Sequence, residues 1–333
     1  MSWLSKRLLL GHLRTGPTVL LPAKSSPAAL LAVLRLADPG AQADGDDIAL
    51  TGIRVKPGLE LSEQELGKLL ITDENQLWAH RVVADGPLPV DGFDKGLAEG
   101  IAYRLGGWAM TRGEMTDPTD DDSLGPVAYL GEMPSHDEMI SLLRGHLRPA
   151  ESLKPAWEKA GSAELLDGIV HRYKEDFRMY GGADILVSLA YTTKIPSAVR
   201  AVMPYAIEVV QVDVRPFEDS DGTIVLTGDE ALLDTGAVAL AIADAFNGLV
   251  TDTWGFQIST PEDLLPPPPP DSPSADATSP NSTSPNPTSS GSTSSGSTSS
   301  DGTPPDSTPP DATSPDSTSP DATRSDSTSS DAT

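Results

Sequence analysis

The chain has 333 residues, with 49 Asp/Glu against 23 Lys/Arg and five His, a formal charge of −26. It has no cluster of Lys/Arg that could displace counterions from a polyanion, so nucleic acid and anionic membrane surfaces are excluded as main partners. It has no Cys, which excludes disulfides, thiol nucleophiles and Cys-ligated zinc.

Apolar side chains nearly vanish from Pro261 onward. Residues 261–333 hold 11 Asp/Glu and one Arg, so this tail carries −10 of the charge and residues 1–260 carry −16. At the N-terminus, Lys6 and Arg7 precede Leu8–Leu10 as in a signal peptide. His12 and Arg14 interrupt the apolar run before it reaches signal length, so a cytoplasmic protein is expected, with export by an unusual signal peptide as the other possibility.

Taken in order, Thr18–Leu21 reads as a strand. Ser25-Ser26-Pro27 offers an N-cap and first turn for a helix over Ala28–Ala37, ended by Pro39-Gly40. Ile48–Val55 reads as one strand, Leu61–Leu70 as a helix with Ser62 and Glu65 at capping-box spacing, and Leu77–Ala84 as a strand. A helix over Asp94–Leu105 stops at Gly106-Gly107 and leads into a strand over Trp108–Arg112. After the acidic loop Glu114–Ser123, Gly125–Leu130 is a strand, and Pro134-Ser135 caps a helix running to Leu147. Pro155–Ala160 and Ala163–Met179 read as further helices; the second collects Leu165, Leu166, Ile169, Val170 and Tyr173 on one face.

The clearest pattern spans Asp184–Ile258: strand Asp184–Tyr191, helix Ser197–Tyr205, strands Ile207–Val214 and Thr223–Thr227, helix Asp234–Asn247 and strand Leu249–Ile258. Asp221-Gly222 marks a turn between the middle strands. This β-α-β-β-α-β order resembles the ferredoxin-like fold. Setting Gly107 on Gly248 also sets Ile101-Ala102 on Ile242-Ala243, which suggests an internal duplication. The expected fold class is therefore α+β, with two related ferredoxin-like units. Residues 1–115 form the first unit, 116–181 an acidic loop and helical connection, and 182–260 the second unit. In 261–333, Pro, Ser, Thr and Asp recur in five-residue units without an apolar anchor, so a disordered tail is expected.

Chemistry is sparse. The histidines are His12, His80, His136, His146 and His171, with no HxH or HExxH spacing. On a helix, Glu175 would lie four residues from His171 and could orient it as a general base, and His80 is the other catalytic candidate. An exposed helix face for His171 and a packed strand position for His80 are the simpler readings. Asp117, Asp120, Asp121 and Asp122 could offer oxygens to Ca²⁺, but they lack EF-hand spacing and read as a solvated charge run. Trp254 and Phe256 share one face of the last strand and are either core or a surface for an added strand. No G-x-S-x-G, P-loop or dinucleotide motif occurs, so no cofactor is expected. The leading expectation is a non-catalytic acidic interaction protein of bacterial type, immunity- or inhibitor-like, whose charge steers it to a basic protein. A small-ligand regulatory module with its site at the junction of the two units is the second, and a hydrolase or transferase using His171 or His80 with carboxylates the third.

Overall fold

The computed structural model describes residues 10–85, 93–121, 123–150, 164–174, 177–218 and 226–267. The sequence expectations for Pro155–Ala160, Asp221-Gly222, most of Thr223–Thr227 and most of the tail lie outside these residues.

Thr18–Leu21 is apolar but for its threonine and is buried at every position as strand β1. Helix α1 follows over Pro27–Ala37, where Ser26 Oγ accepts from Ala29 N–H at 3.1 Å and proline takes the first turn. The segment expected as one strand over Ile48–Val55 is a hairpin instead. Strand β2 (Gln42–Asp44) pairs with β3 (Asp47–Leu50), and β3 turns at Thr51-Gly52 into β4 (Ile53–Val55). Gly52 takes a positive φ of 73°, which a tight two-residue turn requires. Strand β5 (Leu59–Ser62) leads into α2 (Glu63–Lys68), whose capping box is formed as expected, with Glu65 Oε2 accepting from Ser62 N–H at 3.0 Å. Strand β6 (Gln76–Ala84), helix α3 (Phe93–Leu105) and strands β7 (Trp108–Thr111) and β8 (Glu114–Thr116) complete the first sheet. Its order is β2-β3-β4-β6-β1-β7-β8, with β5 also on β6.

The second sheet begins with β9 (Pro126–Leu130) and α4 (His136–Leu143). The helix expected over Ala163–Met179 does not form. Its place is taken by β10 (Glu164–Leu166), β11 (Ile169–Lys174) and β12 (Phe177–Gly181), an antiparallel meander. The physical reason is Asp167-Gly168, both at positive φ (52° and 81°), a Asp-Gly hairpin turn that breaks the helical spacing of the leucines. Strand β13 (Ile185–Thr192), helix α5 (Ser197–Val202), strand β14 (Val209–Pro216), helix α6 (Gly228–Ala245) and strand β15 (Leu249–Asp252) follow in the expected sequence. The order is β10-β11-β12-β13-β14-β9-β15.

The fold is thus mixed α and β, with two antiparallel sheets and several helices. The bounds Asp184–Ile258 expected for one ferredoxin-like unit do not match the pairing. Strand β9, from outside that stretch, lies between β14 and β15, so the stretch closes no sheet of its own. The pairings among β13, β14, β9 and β15 are antiparallel, as neighbours also are in a split βαβ unit, where a third strand separates the two parallel ones. What the two sheets do share is a layout. The first strand of each sits centrally, β1 between β6 and β7, β9 between β14 and β15, and a meander extends outward from β6 or β14.

Cores fill both faces of each sheet. On the first, Leu30, Leu34, Leu97 and Ile101 from α1 and α3 cover Val19, Leu21 and Val82, while Leu61, Leu66, Leu69 and Leu77 pack on the opposite face. On the second, Met139, Ile140, Val238 and Ile242 from α4 and α6 cover Leu130, Val187, Val210 and Val212. Ala198 and Val199 of α5 cover Val127, Tyr129 and Leu249 behind. Among the described residues no helix is long and apolar enough to cross a membrane.

After β15 the chain turns and lays residues 253–258 against the first half. Trp254 and Phe256 are buried in the first half's core, with Trp254 5.1 Å from the Tyr103 ring. Asp252 anchors the turn. Its Oδ1 accepts from the N–H groups of Trp254 (3.0 Å) and Phe256 (2.9 Å), and its Oδ2 from Arg104 at 2.5 Å. The Arg104 guanidinium also stands 4.4 Å over the Phe256 ring. Gln257 N–H donates to Leu36 O, and Tyr103 OH to Leu264 O.

Candidate functional site

Three features outside the packing deserve a chemical reading, and they lie in different places. The first is apolar and exposed. Between α5 and β14 the chain runs Val202-Met203-Pro204-Tyr205-Ala206-Ile207. Tyr205 is 96% exposed, Ile207 86% and Val202 57%. Tyr191, at the end of β13 and opposite Val210, adds a ring that is 48% exposed. The segment stands out because α5 is only one and a half turns long. Its Ala198 and Val199 reach the sheet, and Pro204, which cannot continue a helix, releases the chain before β14 begins. Met203 and Ala206 turn back toward the sheet, held by Ala206 N–H donating to Met203 O at 3.1 Å, which leaves Tyr205 and Ile207 outward. Val202, Tyr205 and Ile207 thus stand in water within six residues of chain, a kind of feature that accompanies interaction surfaces.

The second is a cleft of about 460 Å³ in the first half, between α1, the β2–β3 hairpin and the segment Lys56–Gly58. Its walls include Leu30, Leu31, Ile48 and Val55, and His80 also lines it. Pro57 has no N–H for a ladder, so β6 changes partner here: Val82 faces Val55 of β4, and Ala79 faces Leu59 of β5. His80 lies at that change-over. Its Nδ1 is 3.2 Å from the Lys56 carbonyl oxygen, which can only accept, so Nδ1 carries the proton and Nε2 is the acceptor. Burial pushes the imidazole below its ordinary pKa, against the opposing pull of the Lys56 carbonyl. Nε2 is buried and has no hydrogen-bond partner among the described residues. Gly58 lies so close that a Cβ there would stand 2.9 Å from Nε2. Beside the cleft, Lys56 pairs with Asp47 at 2.6 Å, and Lys24 sits 5.0 Å over the Trp78 ring.

The third is a pair of histidines on the second sheet. His136 begins α4 and His171 lies on β11, their ring centroids 4.4 Å apart. Tyr180, opposite His171 on β12, has its hydroxyl 3.2 Å from His136 Nδ1. Glu164 is 3.8 Å from His171 Nε2 but mostly in solvent. Burial first, then the neighbouring His136, lowers the His171 pKa, and Glu164 opposes both.

The residues singled out in sequence are therefore not gathered into one site. His171 sits on a strand, so the helical pairing with Glu175 that motivated a general base is gone, and Glu175 itself lies outside the described residues. His80 is on the other sheet, on the same face as Trp78, and both stand against Gly58. Asp117 and Asp121 spend their oxygens locally: Asp117 Oδ1 accepts from Thr119 N–H at 2.9 Å, Asp121 Oδ1 from Ser123 N–H at 2.9 Å. Asp120 sits in the one-turn helix between them, and Asp122 lies outside the described residues. Among the described residues no group of three or more His, Asp or Glu is placed to hold a metal ion. Trp254 and Phe256 are core and cannot serve as a surface for an added strand. Where the chain crosses to the first half, these two aromatics pack into its core.

Sequence reading missed Tyr205 and Ile207 because they were counted as the end of a helix and the start of a strand. The proline between them and α5 was the available signal. The His136–His171 pair was invisible while His171 was placed on a helix. No family model, curated protein or solved structure matches the chain.

Proposed function

We propose that this protein is an acidic, non-catalytic binding protein that docks a basic protein partner through the Val202–Ile207 lip. The carrying observation is the nearly complete exposure of Tyr205 and Ile207 in a chain with a net charge of −26. Tyrosine at such a position is the residue type that dominates binding energy when a partner buries it. The field of the whole chain draws in a cationic partner, and the apolar lip holds it once it has arrived. The absence of clustered basic residues argues against nucleic acid as the occupant. An immunity- or inhibitor-like role in a bacterial cytoplasm fits this reading. The shared layout of the two sheets, and the alignment of Gly107 with Gly248, support an origin by duplication of one α+β unit.

The test compares the full chain with a Tyr205→Ala/Ile207→Ala variant, using Leu70→Ala, another exposed apolar side chain in the first half, as control. A basic protein should be retained in stoichiometric amount by the wild type and by Leu70→Ala. It should be released by raised salt and lost by the double variant. Retention that ignores both salt and the lip substitutions would sink the reading, as would a lipid vesicle replacing protein as the occupant.

A further inference from the structure

We propose that the cleft beside His80 is a small-molecule site for a neutral ligand with an apolar body and one hydroxyl or N–H donor, which His80 Nε2 accepts. This is separate from the protein-binding lip and does not rest on it. Three observations select the ligand class. The walls at Leu30, Leu31, Ile48 and Val55 offer apolar contact in a volume suited to a compact molecule. The Lys56 carbonyl fixes the tautomer, so the only chemistry His80 can present is a lone pair at Nε2. And that lone pair is a buried acceptor without a partner among the described residues, on a side chain only 4% exposed. Leaving such an acceptor unmade is costly, and a ligand donor removes the cost.

The cations nearby do not turn this into an anion site. Lys56 is paired with Asp47, Lys24 is drawn over the Trp78 ring, Asp46 lines the same cleft, and burial disfavours the charged imidazole. A carboxylate or phosphate would meet a lone pair and two acidic side chains. Access runs past Gly58. A donor reaches Nε2 by displacing Gly58, while Lys56, whose N–H donates to Arg81 O at 2.9 Å, keeps its carbonyl on Nδ1, and any larger residue at 58 would occupy the approach.

The experiment titrates two probes into the full chain, p-cresol and its methyl ether 4-methylanisole, which keeps the ring and oxygen but has no donor. His80 ring resonances, assigned by their loss in His80→Phe, are followed by NMR. p-Cresol should move those resonances and bind about tenfold more tightly than the ether, the factor expected for one satisfied buried acceptor. In His80→Phe that preference should fall to about onefold, because the phenyl ring fills the space and accepts nothing. If that variant does not fold, the affinity ratio of the two probes for the wild type still decides. Equal affinity of the two probes for the wild type overturns the proposal. So does binding of neither, or a response confined to residues away from His80.

Discussion

Asp252 shows how one side chain can hold two halves together. Its carboxylate is almost wholly buried and is satisfied by Arg104 of α3 and by two backbone N–H groups of the turn that carries Trp254 and Phe256. Burial pushes its pKa up, while Arg104 and the amides pull it down. Removing one partner strands the other, so Arg104→Ala should lower unfolding stability by about 3–5 kcal/mol, measured by urea denaturation. Arg104→Ala and Asp252→Ala combined should cost clearly less than their sum, since the second change removes a charge already orphaned. The histidines make a pH prediction. His80 and His171 both have lowered folded-state pKa values, so the unfolded chain binds protons more readily than the folded one. Their contribution is complete above the ordinary imidazole range near pH 6.5 and is lost as pH falls through the depressed folded values. Denaturation midpoints should therefore drop as pH falls below about 6.5, and the drop should shrink in His171→Gln. A pH-independent midpoint in the wild type would contradict this.

At the scale of elements, the glycines after α3 and α6 occupy matched corners. Gly106 and Asn247 take positive φ, and Gly107 N–H and Gly248 N–H donate back to Ala102 O and Ala243 O. A Cβ on Gly107 would stand 2.3 Å from Leu20 O, and one on Gly248 2.6 Å from Tyr129 O, each on the first strand of its sheet. Backbone cannot yield as a side-chain tip can. Gly107→Ala and Gly248→Ala should each destabilise by more than about 1 kcal/mol, whereas Gly67→Ala, in α2 with open space around it, should stabilise by about 0.5–1 kcal/mol. Thermal melts of the three variants test the contrast. These corners were legible in sequence, because a glycine stop after an Ala-rich helix is a local signal. So were the caps at Ser26, Ser62 and Ser135, whose partners lie three residues away. Residues Glu164–Gly181 were not legible as strands, since their leucines fit a helix face and only Asp167-Gly168 spoke against it. The insertion of β9 between β14 and β15 was beyond reach for a different reason: pairing across some 80 residues leaves no local trace. The His80 tautomer was out of reach in the same way, since Nδ1 finds its partner Lys56 O 24 residues away.

For the whole molecule, the boundary expected at residue 115 falls inside β8 of the first sheet and does not enclose the first half's core. Trp254 and Phe256 belong to the core of the first. A fragment of residues 1–115 should therefore fold less stably than the same region in the full chain, with a deficit of at least about 3–5 kcal/mol, the cost of emptying one large aromatic site. Hydrogen exchange of amides in β1, compared between fragment and full chain, measures it. Equal protection would show that the first half completes its core alone.

The placement of those two aromatics also bears on synthesis. The chain emerges from the ribosome N-terminus first, and domains usually close in that order. Here the first sheet waits for residues 254 and 256, so its apolar face between α1 and α3 stays uncovered until nearly all the described chain has been made. A nascent chain stalled before Trp254 would offer that face to chaperones, and one released just past Ile258 would not.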